Sequence, residues 1–482
     1  MADRNDEAAA RAWEAFRSGR HDEATAICEA MLAVSPDHAG LRGISGIICG
    51  ERGDFAMSVE NFQRAKTLEP TNPDWSFNLG IAYLRDRRFS DAKAALFEAL
   101  RLRPHCIEYL VELAVLHASL DEDREALRLC LEVIDQDANN ADAHLLLAET
   151  LLRRGEMLLG WAQYTKGHGI RQERARLQRG ASGESQITPP RWDGMQHPDA
   201  AILLHCDLGF SEMIQFARYI PLVAEHCGAV TVQTPMELTS LLSRSVAIAA
   251  VIPWGQTTET DHALQARLSE LPGLFATTLE RIPGSIPYLK ADPDRVQMWR
   301  EKLPARTAAH RMLVGLAWSG RTANERPAGR FLRFSQLHPL LMVPGVAFVS
   351  LQKPVSPADV EAMRGATVLD LSAELTDFGE TAAVVANLDL VIAVDTAVAH
   401  LAGALGRDVW TLLPRSADWR WLRDRDDSPW YPTMRLFRQT MVGEWEEPLA
   451  RAAAALAQLA EDHDNLPGAP PDLRAPAPSE NR

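Results

Sequence analysis

Three polar residues near the carboxyl end of this chain, Asp395, Thr396 and His400, are spaced so that they could bind a phosphate. The surrounding segment, 388–406, reads LDLVIAVDTAVAHLAGALG, and its apolar start predicts a strand buried on both faces. A helix-period stretch begins at Ala397 and meets a glycine where a helix would stop. In open α/β sheets, ligands bind beyond the carboxyl ends of strands, and helix amino-termini attract anions. The segment therefore predicts a nucleotide-type site.

Two other strand-like runs end in residues that could contact the same anion. Ser319 and Gly320 follow one apolar run, and Lys353 follows another. A cation at a strand end suits a diphosphate. Arg330 adds a cation on a polar loop, where a solvated side chain is the alternative.

The elements that must position these residues form two series of strand-like runs, each alternating with helical patterns. The first series occupies 201–204, 230–233 and 247–252, and the second occupies 312–318, 346–351 and 391–394. Strands that alternate with helices predict parallel sheets. Two series predict two Rossmann-like lobes with a cleft between them.

The part of the chain before these runs repeats every 34 residues. Pro36, Pro70 and Pro104 are spaced by 34, and small residues recur in the same register at 12, 46, 80 and 114. This is the period of the tetratricopeptide (TPR) repeat, a pair of helices with small residues where the helices cross. About five repeats are predicted. Their concave surface would bind a protein partner, and the alternative is a scaffolding or dimerising role.

Bulk properties narrow the class of protein. The chain has 482 residues, a formal net charge of −15 and no CxxC pair, so neither general nucleic-acid binding nor a zinc site is indicated. Without a membrane-length apolar run or a signal-peptide core, it is predicted to be cytoplasmic. The predicted domains are a TPR solenoid (5–170), a linker (171–199), an amino-terminal lobe (200–305), a carboxyl-terminal lobe (306–464) and a disordered tail (465–482).

Several strings together resemble a known architecture. They are LLHCDLGFSEMIQFARY (203–219), VGLAWSG (314–320), SLQK (350–353), the 388–406 segment and DWRWLRDRDDSPWYPTMRLFRQ (418–439). They are similar to bacterial proteins in which TPR repeats precede a GT-B glycosyltransferase domain related to the lipopolysaccharide heptosyltransferases. The more distant O-GlcNAc transferases and the TPR-containing flagellin glycosyltransferases share this layout.

The resemblance implies a metal-independent, inverting transfer of a sugar from a nucleotide donor, with no cofactor beyond that co-substrate. Asp395, Thr396 and His400 match the segment that meets the donor diphosphate. A protonated His400 would stabilise the leaving group, and a helix-packing histidine is the alternative. For Asp395, the alternative is a helix N-cap.

A second matching segment, Gly209 to Glu212, corresponds to a loop that usually reads G-x-G-D in relatives, whose final carboxylate activates the acceptor. Here Ser211 replaces a glycine and Glu212 lengthens the carboxylate arm. Glu212 is the predicted base and Asp207 the reserve candidate. The aromatic residues of 419–431 are predicted to pack a loop over the lobe interface, with base stacking as the alternative.

The function predicted from the sequence is glycosyl transfer to a protein acceptor held by the repeats, with flagellin as one candidate. Two alternatives stay open: a non-catalytic TPR adaptor with a degenerate GT-B domain, and a heptosyltransferase-like enzyme acting on a glycan. The sequence leaves open the sugar, the nucleotide, the acceptor and whether the chain forms a homo-oligomer.

Overall fold

The computed structural model describes residues 2–178, 189–244, 248–256, 261–307, 309–320 and 331–464. These residues form two compact units, Met1–Thr150 and Leu151–Arg482. The predicted contact residue Arg330 and the predicted tail at 465–482 lie outside the described residues.

The first unit is a row of helices that begin at a regular interval. The helices are α1 (Ala2–Arg17), α2 (His21–Val34), α3 (Ala39–Glu51), α4 (Phe55–Leu68), α5 (Pro73–Arg85), α6 (Phe89–Leu102), α7 (Ile107–Ser119), α8 (Asp123–Gln136) and α9 (Ala141–Arg153). The odd helices from α3 begin at 39, 73, 107 and 141, and the even helices begin at 21, 55, 89 and 123. Both series have the predicted 34-residue period, so the helix-pair repeat is confirmed.

Small residues allow the paired helices to approach closely. A Cβ atom added to Gly46 would lie 2.9 Å from the ring of Phe62, and one added to Gly80 would lie 2.8 Å from Leu96. Ser58 Oγ also donates to the carbonyl of Gly46 at 2.7 Å. A larger side chain at either glycine would force the helices apart, which is the role predicted for these positions.

Helix α10 (Met157–Gln178) continues the even series at residue 157 but groups with the second unit. It runs past 170/171, where the sequence predicts the start of a linker, so the basic run at 171–178 is helical. Tertiary contacts explain this length, because α10 packs inside the second unit against the 3₁₀ turn Leu268–Glu270 and the short helix that follows it.

The second unit contains ten strands and ten further helices among its described residues. The strands are β1 (Ile202–His205), β2 (Val230–Thr234), β3 (Ala250–Pro253), β4 (Leu264–Arg267), β5 (His310–Ala317), β6 (Gly345–Ser350), β7 (Val368–Asp370), β8 (Leu390–Val394), β9 (Val409–Leu413) and β10 (Met434–Arg438). The helices are α11 (Phe210–Phe216), α12 (Ile220–His226), α13 (Met236–Leu242), α14 (Leu271–Leu274), α15 (Pro293–Lys302), α16 (His338–Leu341), α17 (Pro357–Met363), α18 (Phe378–Val385), α19 (Ala397–Ala404) and α20 (Glu446–Asp464).

These strands form two parallel sheets, which confirms the predicted pair of α/β lobes. The first sheet has the order β3-β2-β1-β4 and the second β10-β9-β8-β5-β6-β7. If β5 is counted as strand 1, the second sheet read from β7 to β10 has the Rossmann order 3-2-1-4-5-6. The direction in which its strands are added reverses between β5 and β8. In the first sheet the reversal falls between β1 and β4. Ligands bind outside the carboxyl ends of strands at such reversals.

Two local predictions differ from the structure. The sequence predicts that Gly209 to Glu212 form a loop, but Phe210 to Glu212 form the first turn of α11, with Gly209 as the N-cap residue. Sequence patterning also missed β4, β7, β9 and β10. The first two are three or four residues long and only partly buried, so they have no extended apolar run.

Candidate functional site

The reversal point of the six-stranded sheet brings together two of the segments singled out from the sequence. Strands β5 and β8 are neighbours, with Ala317 paired to Ala393. Ser319 and Asp395 each follow two residues later and therefore leave the sheet at the same level. Strand β8 is buried at all five positions, as its apolar run predicts.

Helix α19 begins beyond β8 with its first turn uncapped by a side chain. Thr396 is the N-cap residue, with extended backbone angles (φ −141°, ψ 168°), yet its hydroxyl forms no cap hydrogen bond. Its Oγ1 is buried without a hydrogen-bond partner. The first N–H groups of a helix carry partial positive charge and attract anions. This junction, with Ala397 as the first helical residue, offers polar groups of the kind that contact a phosphate, and the phosphate site itself stays a prediction.

His400 lies behind this junction. Its side chain is fully buried, with Nδ1 2.9 Å from the hydroxyl of Tyr431 and Nε2 3.6 Å from Asp395 Oδ1. Trp421 covers the imidazole, with ring centroids 5.2 Å apart. In this arrangement, His400 faces the carboxylate of Asp395, so it can orient that carboxylate. The predicted direct role toward the leaving group stays a prediction.

The loops after β5 and β6 are fastened together by one buried side chain. Gln352 Oε1 accepts from the backbone N–H of Ser319 at 2.8 Å, and its Nε2 donates to the carbonyl of Ser319 at 2.9 Å. Gly320 faces the ring of Phe331, which would lie 2.7 Å from an added Cβ. Lys353 Nζ donates to the carbonyl of Leu375 at 2.6 Å. The Gln352 contacts hold Ser319 in place, whereas Lys353 would have to release Leu375 to meet a donor.

The reversal point of the four-stranded sheet carries Asp207, the reserve base candidate. Its Oδ1 accepts from the Ser269 backbone N–H at 3.2 Å, and its Oδ2 accepts from Ser269 Oγ at 2.6 Å. Gln172 Nε2 donates to Oδ2 as well, at 2.5 Å. Three hydrogen bonds hold this carboxylate, which favours a structural or orienting role over proton transfer.

Glu212 sits in the first turn of α11, three residues after Gly209. A Cβ atom added to Gly209 would lie only 2.8 Å from Glu212 Oε2, so the carboxylate folds back over the start of its own helix. Its other oxygen, Oε1, accepts from Arg420 Nη2 at 3.0 Å. The side chain keeps 27% of its surface exposed. Arg420 thus fixes Oε1, whereas Oε2 lies beside Gly209.

Arg420 is the residue that organises this corner, and it comes from the other lobe. It lies in the 3₁₀ turn Trp419–Trp421 and is buried. Its Nη1 donates to Asp418 at 2.5 Å and its Nε to Gln215 Oε1 at 2.5 Å. In the sequence, Arg420 stands among the aromatic residues of 419–431 and nothing marks it as a site residue. No local pattern links residues 212 and 420.

The charges around Glu212 and Arg420 shift the pKa values of both residues. Burial raises the pKa of Glu212, but the Arg420 charge, the backbone N–H of Glu212 and His400 outweigh it, so the net shift is downward despite Asp395. Burial lowers the pKa of Arg420, but Asp418 and Glu212 more than compensate and raise it above its usual range. Glu212 is therefore ionised and able to accept a proton at neutral pH.

The two lobes meet where these residues lie. Helix α11 packs against α19, and Arg218 Nη2 donates to the carbonyl of Trp430 at 3.0 Å. Trp430 and Trp419 are buried and pack around Trp161 of α10, with ring centroids 6.4 and 5.1 Å away. The predicted packing role of the aromatic segment at the lobe interface is confirmed.

Six buried polar atoms of residues at or near this interface have no hydrogen-bond partner among the described residues. They are Gln172 Oε1, Gln215 Nε2, Thr396 Oγ1, His400 Nε2, Trp421 Nε1 and Trp430 Nε1. Buried polar atoms are nearly always paired in folded proteins, so unpaired ones are candidates for contact with a ligand. Among the described residues, no group of three or more His, Cys, Asp or Glu side chains could hold a metal ion.

Comparisons with known proteins assign part of this unit to a family. Residues 361–438 match the model of glycosyltransferase family 9 (heptosyltransferase). This segment spans α18, β8, α19 and the turn that carries Arg420. The resemblance identified from the sequence is therefore confirmed for residues 361–438 of the six-stranded lobe.

Whole-chain similarity extends to a curated relative. The chain is 25% identical over 496 residues to protein FlbA of Caulobacter vibrioides, covering 90% of this chain and 80% of that protein. Solved structures similar to part of the chain include MamA (TM-score 0.32, 16% identity, 34% of this chain and 95% of MamA). Another is the TPR protein YrrB (TM-score 0.30, 18% identity, 34% of this chain and 84% of YrrB).

No helix among the residues described by the structure is long and apolar enough to cross a membrane.

Proposed function

Because the six-stranded lobe carries a glycosyltransferase family 9 segment, we propose that this chain transfers a sugar from a nucleotide-sugar donor to a hydroxyl of a protein acceptor. The observation that supports this most is the position of Glu212, whose buried partner Arg420 belongs to the donor lobe. Helix α11 packs against α19, and the Glu212 carboxylate lies close enough to Asp395, at the proposed phosphate junction, for Asp395 to affect its pKa. That is the arrangement that acceptor activation next to a bound donor requires.

In this mechanism, Glu212 removes the proton of the acceptor hydroxyl as the oxygen attacks the anomeric carbon. The bond between that carbon and the nucleotide diphosphate or monophosphate of the donor breaks on the opposite face, so the configuration inverts. The α19 amino-terminus and the Thr396 hydroxyl stabilise the negative charge of the departing phosphate group. The proposal requires no metal ion and keeps the cytoplasmic location predicted from the sequence.

The repeats of the first unit supply the reason to propose a protein acceptor. Helix-pair arrays present extended surfaces that bind polypeptides. Flagellin is one candidate, through the resemblance of the sequence to TPR-containing flagellin glycosyltransferases, and fold-level analogy supports only the class of acceptor.

Donor binding is tested by thermal unfolding of the purified chain with UDP-, GDP-, ADP- and CMP-sugars. We expect one nucleotide class to raise the unfolding midpoint. Thr396→Val should weaken the binding of that nucleotide about tenfold, because the ligand loses its hydrogen bond to the buried hydroxyl. Stabilisation by none of these sugars would favour the adaptor alternative.

The acceptor class is tested with an isotopically labelled donor that passes the first screen. Intact proteins and free oligosaccharides are offered separately to the full chain. Label in protein supports the proposal, and label confined to the oligosaccharides would favour the glycan-modifying alternative.

A further inference from the structure

One face of α10 carries three polar residues at four-residue spacing, and this face meets the corner that holds Glu212. The residues are Tyr164, His168 and Gln172. Residues four apart lie on the same side of a helix. This helix contributes nothing to the mechanism proposed above, and the family match begins far beyond it, at residue 361.

Gln172 presents a hydrogen-bond acceptor that no residue in the described part of the chain satisfies. Its Nε2 donates to Asp207 Oδ2, and a carboxylate only accepts, so the amide orientation is fixed with the oxygen pointing away from Asp207. That Oε1 is buried and has no partner. Asp207 is itself held by Ser269, so the unpaired oxygen has a fixed direction. A ligand N–H or O–H would remove the cost of burying it unpaired.

His168 and Tyr164 lie on the same side of α10 as Gln172, four and eight residues before it, and form an uncharged wall. Their rings lie 4.4 Å apart between centroids. Burial lowers the pKa of His168, although Asp207 opposes the shift, and burial raises the pKa of Tyr164, with Glu212 and Asp207 adding to it. Both side chains are neutral at pH 7, so the wall suits an uncharged polar group such as a peptide amide.

The wall also lies close to the proposed base. Tyr164 is near enough to both Glu212 and Asp207 for each carboxylate to affect its titration. Its ring lies 6.4 Å from that of Trp419, the neighbour of Arg420. An acceptor whose hydroxyl reaches Glu212 therefore has α10 alongside it.

Resting on the proposed function, we propose that α10 forms the acceptor subsite and that Gln172 Oε1 accepts a hydrogen bond from a main-chain N–H of the acceptor polypeptide. This N–H lies next to the residue whose hydroxyl is glycosylated. Gln172 is thus a specificity-determining residue that selects an extended peptide over a sugar.

The test uses the full chain and a synthetic serine- or threonine-containing peptide taken from the labelled acceptor protein. One form of the peptide has its amides intact, and others replace single amides near the modified residue by esters, which lack the N–H. Gln172→Met keeps the side-chain length without the amide. Lys166→Met, on the exposed side of the same helix, is the matched control.

We expect Gln172→Met to raise the KM for the amide peptide about tenfold, with the control unchanged. With the wild-type chain, one ester peptide should show the same increase in KM, about tenfold. With Gln172→Met, that ester should raise the KM no further, because both changes remove the same hydrogen bond. Donor affinity and slow donor hydrolysis without acceptor should stay within about twofold of wild type.

Full additivity of the Gln172→Met and ester effects would overturn the proposal, as would an ester series that leaves the wild-type KM unchanged. The ester series on the wild-type chain also decides the matter if Gln172→Met fails to fold. Failure of the proposed function looks different, because the donor would then not be bound or the peptide would not be labelled at all.

Discussion

The second unit contains two strand–helix junctions of the same design, and they treat the helix amino-terminus in opposite ways. Strand β8 leads through Asp395 and Thr396 into α19, whose N-cap side chain makes no cap bond and has a buried, unpaired hydroxyl. Strand β1 leads through Gly209 into α11, where the Glu212 carboxylate folds over its own helix start. The first junction leaves its helix start without a side-chain cap bond, and the second has its own carboxylate folded over the helix start.

In the proposed mechanism, this difference separates donor binding at the first junction from acceptor activation at the second. A helix amino-terminus occupied by its own carboxylate repels a phosphate and holds a base ionised, whereas an unoccupied one attracts the phosphate. Arg420 connects the two, because it comes from the six-stranded lobe and pairs with the carboxylate of the other lobe at 3.0 Å. Substitutions at either junction test this division.

The strongest test of the division is Glu212→Gln. We expect transfer to fall by about 10²–10⁴-fold, the usual contribution of a general base, while donor affinity stays unchanged. Steady-state kinetics measure the rate of transfer, and nucleotide titration measures donor affinity. Glu225→Gln, on the exposed face of α12, is the matched control. Retention of full transfer by Glu212→Gln would remove the base assignment and leave the class of reaction intact.

Arg420→Met should destabilise the second unit more than any exposed arginine change. Removing one partner of a buried ion pair leaves Glu212 and Asp418 uncompensated, at a cost of about 3–5 kcal/mol in the free energy of unfolding. Urea unfolding measures this cost. Arg364→Met, which breaks an exposed pair with Glu361, should change stability by about 0.5 kcal/mol or less. Equal effects of the two variants would show that the buried pair does not organise the interface.

The pH dependence of transfer should follow the lowered pKa of Glu212. We expect the acid limb of kcat/KM to lie below 4.5, the ordinary value for a glutamate. The stability gained from the ionised side chain is present above that value and is lost as pH falls through the lower folded-state pKa. In Arg420→Met the main lowering influence is gone and burial remains, so the acid limb should move to higher pH. An unmoved limb would assign the titration to another group.

Gly209→Ala should have the smallest effect. The backbone angles of Gly209 (φ −71°, ψ 166°) suit alanine, so stability should change by about 1 kcal/mol or less. The new methyl group would displace Glu212 Oε2 from its 2.8 Å position and lower kcat by about tenfold. Unfolding and kinetic measurements on one preparation separate the two effects. An unchanged kcat would show that the Glu212 side chain acts from a different rotamer.

Local patterns predicted the parts of the fold that local physics controls. The 34-residue spacing of prolines and small residues predicted the helix pairs because each repeat makes the same contacts with its neighbours. The apolar run of β8 predicted a buried central strand. The junction residues Asp395 and Thr396 could be chosen for the same reason, since a strand end and a helix start lie next to each other in sequence.

The partners of those residues could not be predicted in this way. The extent of α10 depends on what it packs against, so the basic run at 171–178 resembled a linker. The role of Gln172 follows from a contact with Asp207, 35 residues away. Arg420 and Glu212 are 208 residues apart. Pairings at such separations depend on how the sheets are connected and how the lobes meet.

By itself, the sequence determined the repeat period, the two strand–helix series and the position of the β8–α19 junction, because each follows from short-range spacing. Only the tertiary structure decided that Glu212 is held ionised by an arginine from the opposite lobe and that α10 borders the same corner. Burial and charge pairing between distant segments set those properties, and neither is encoded in any single stretch of the chain.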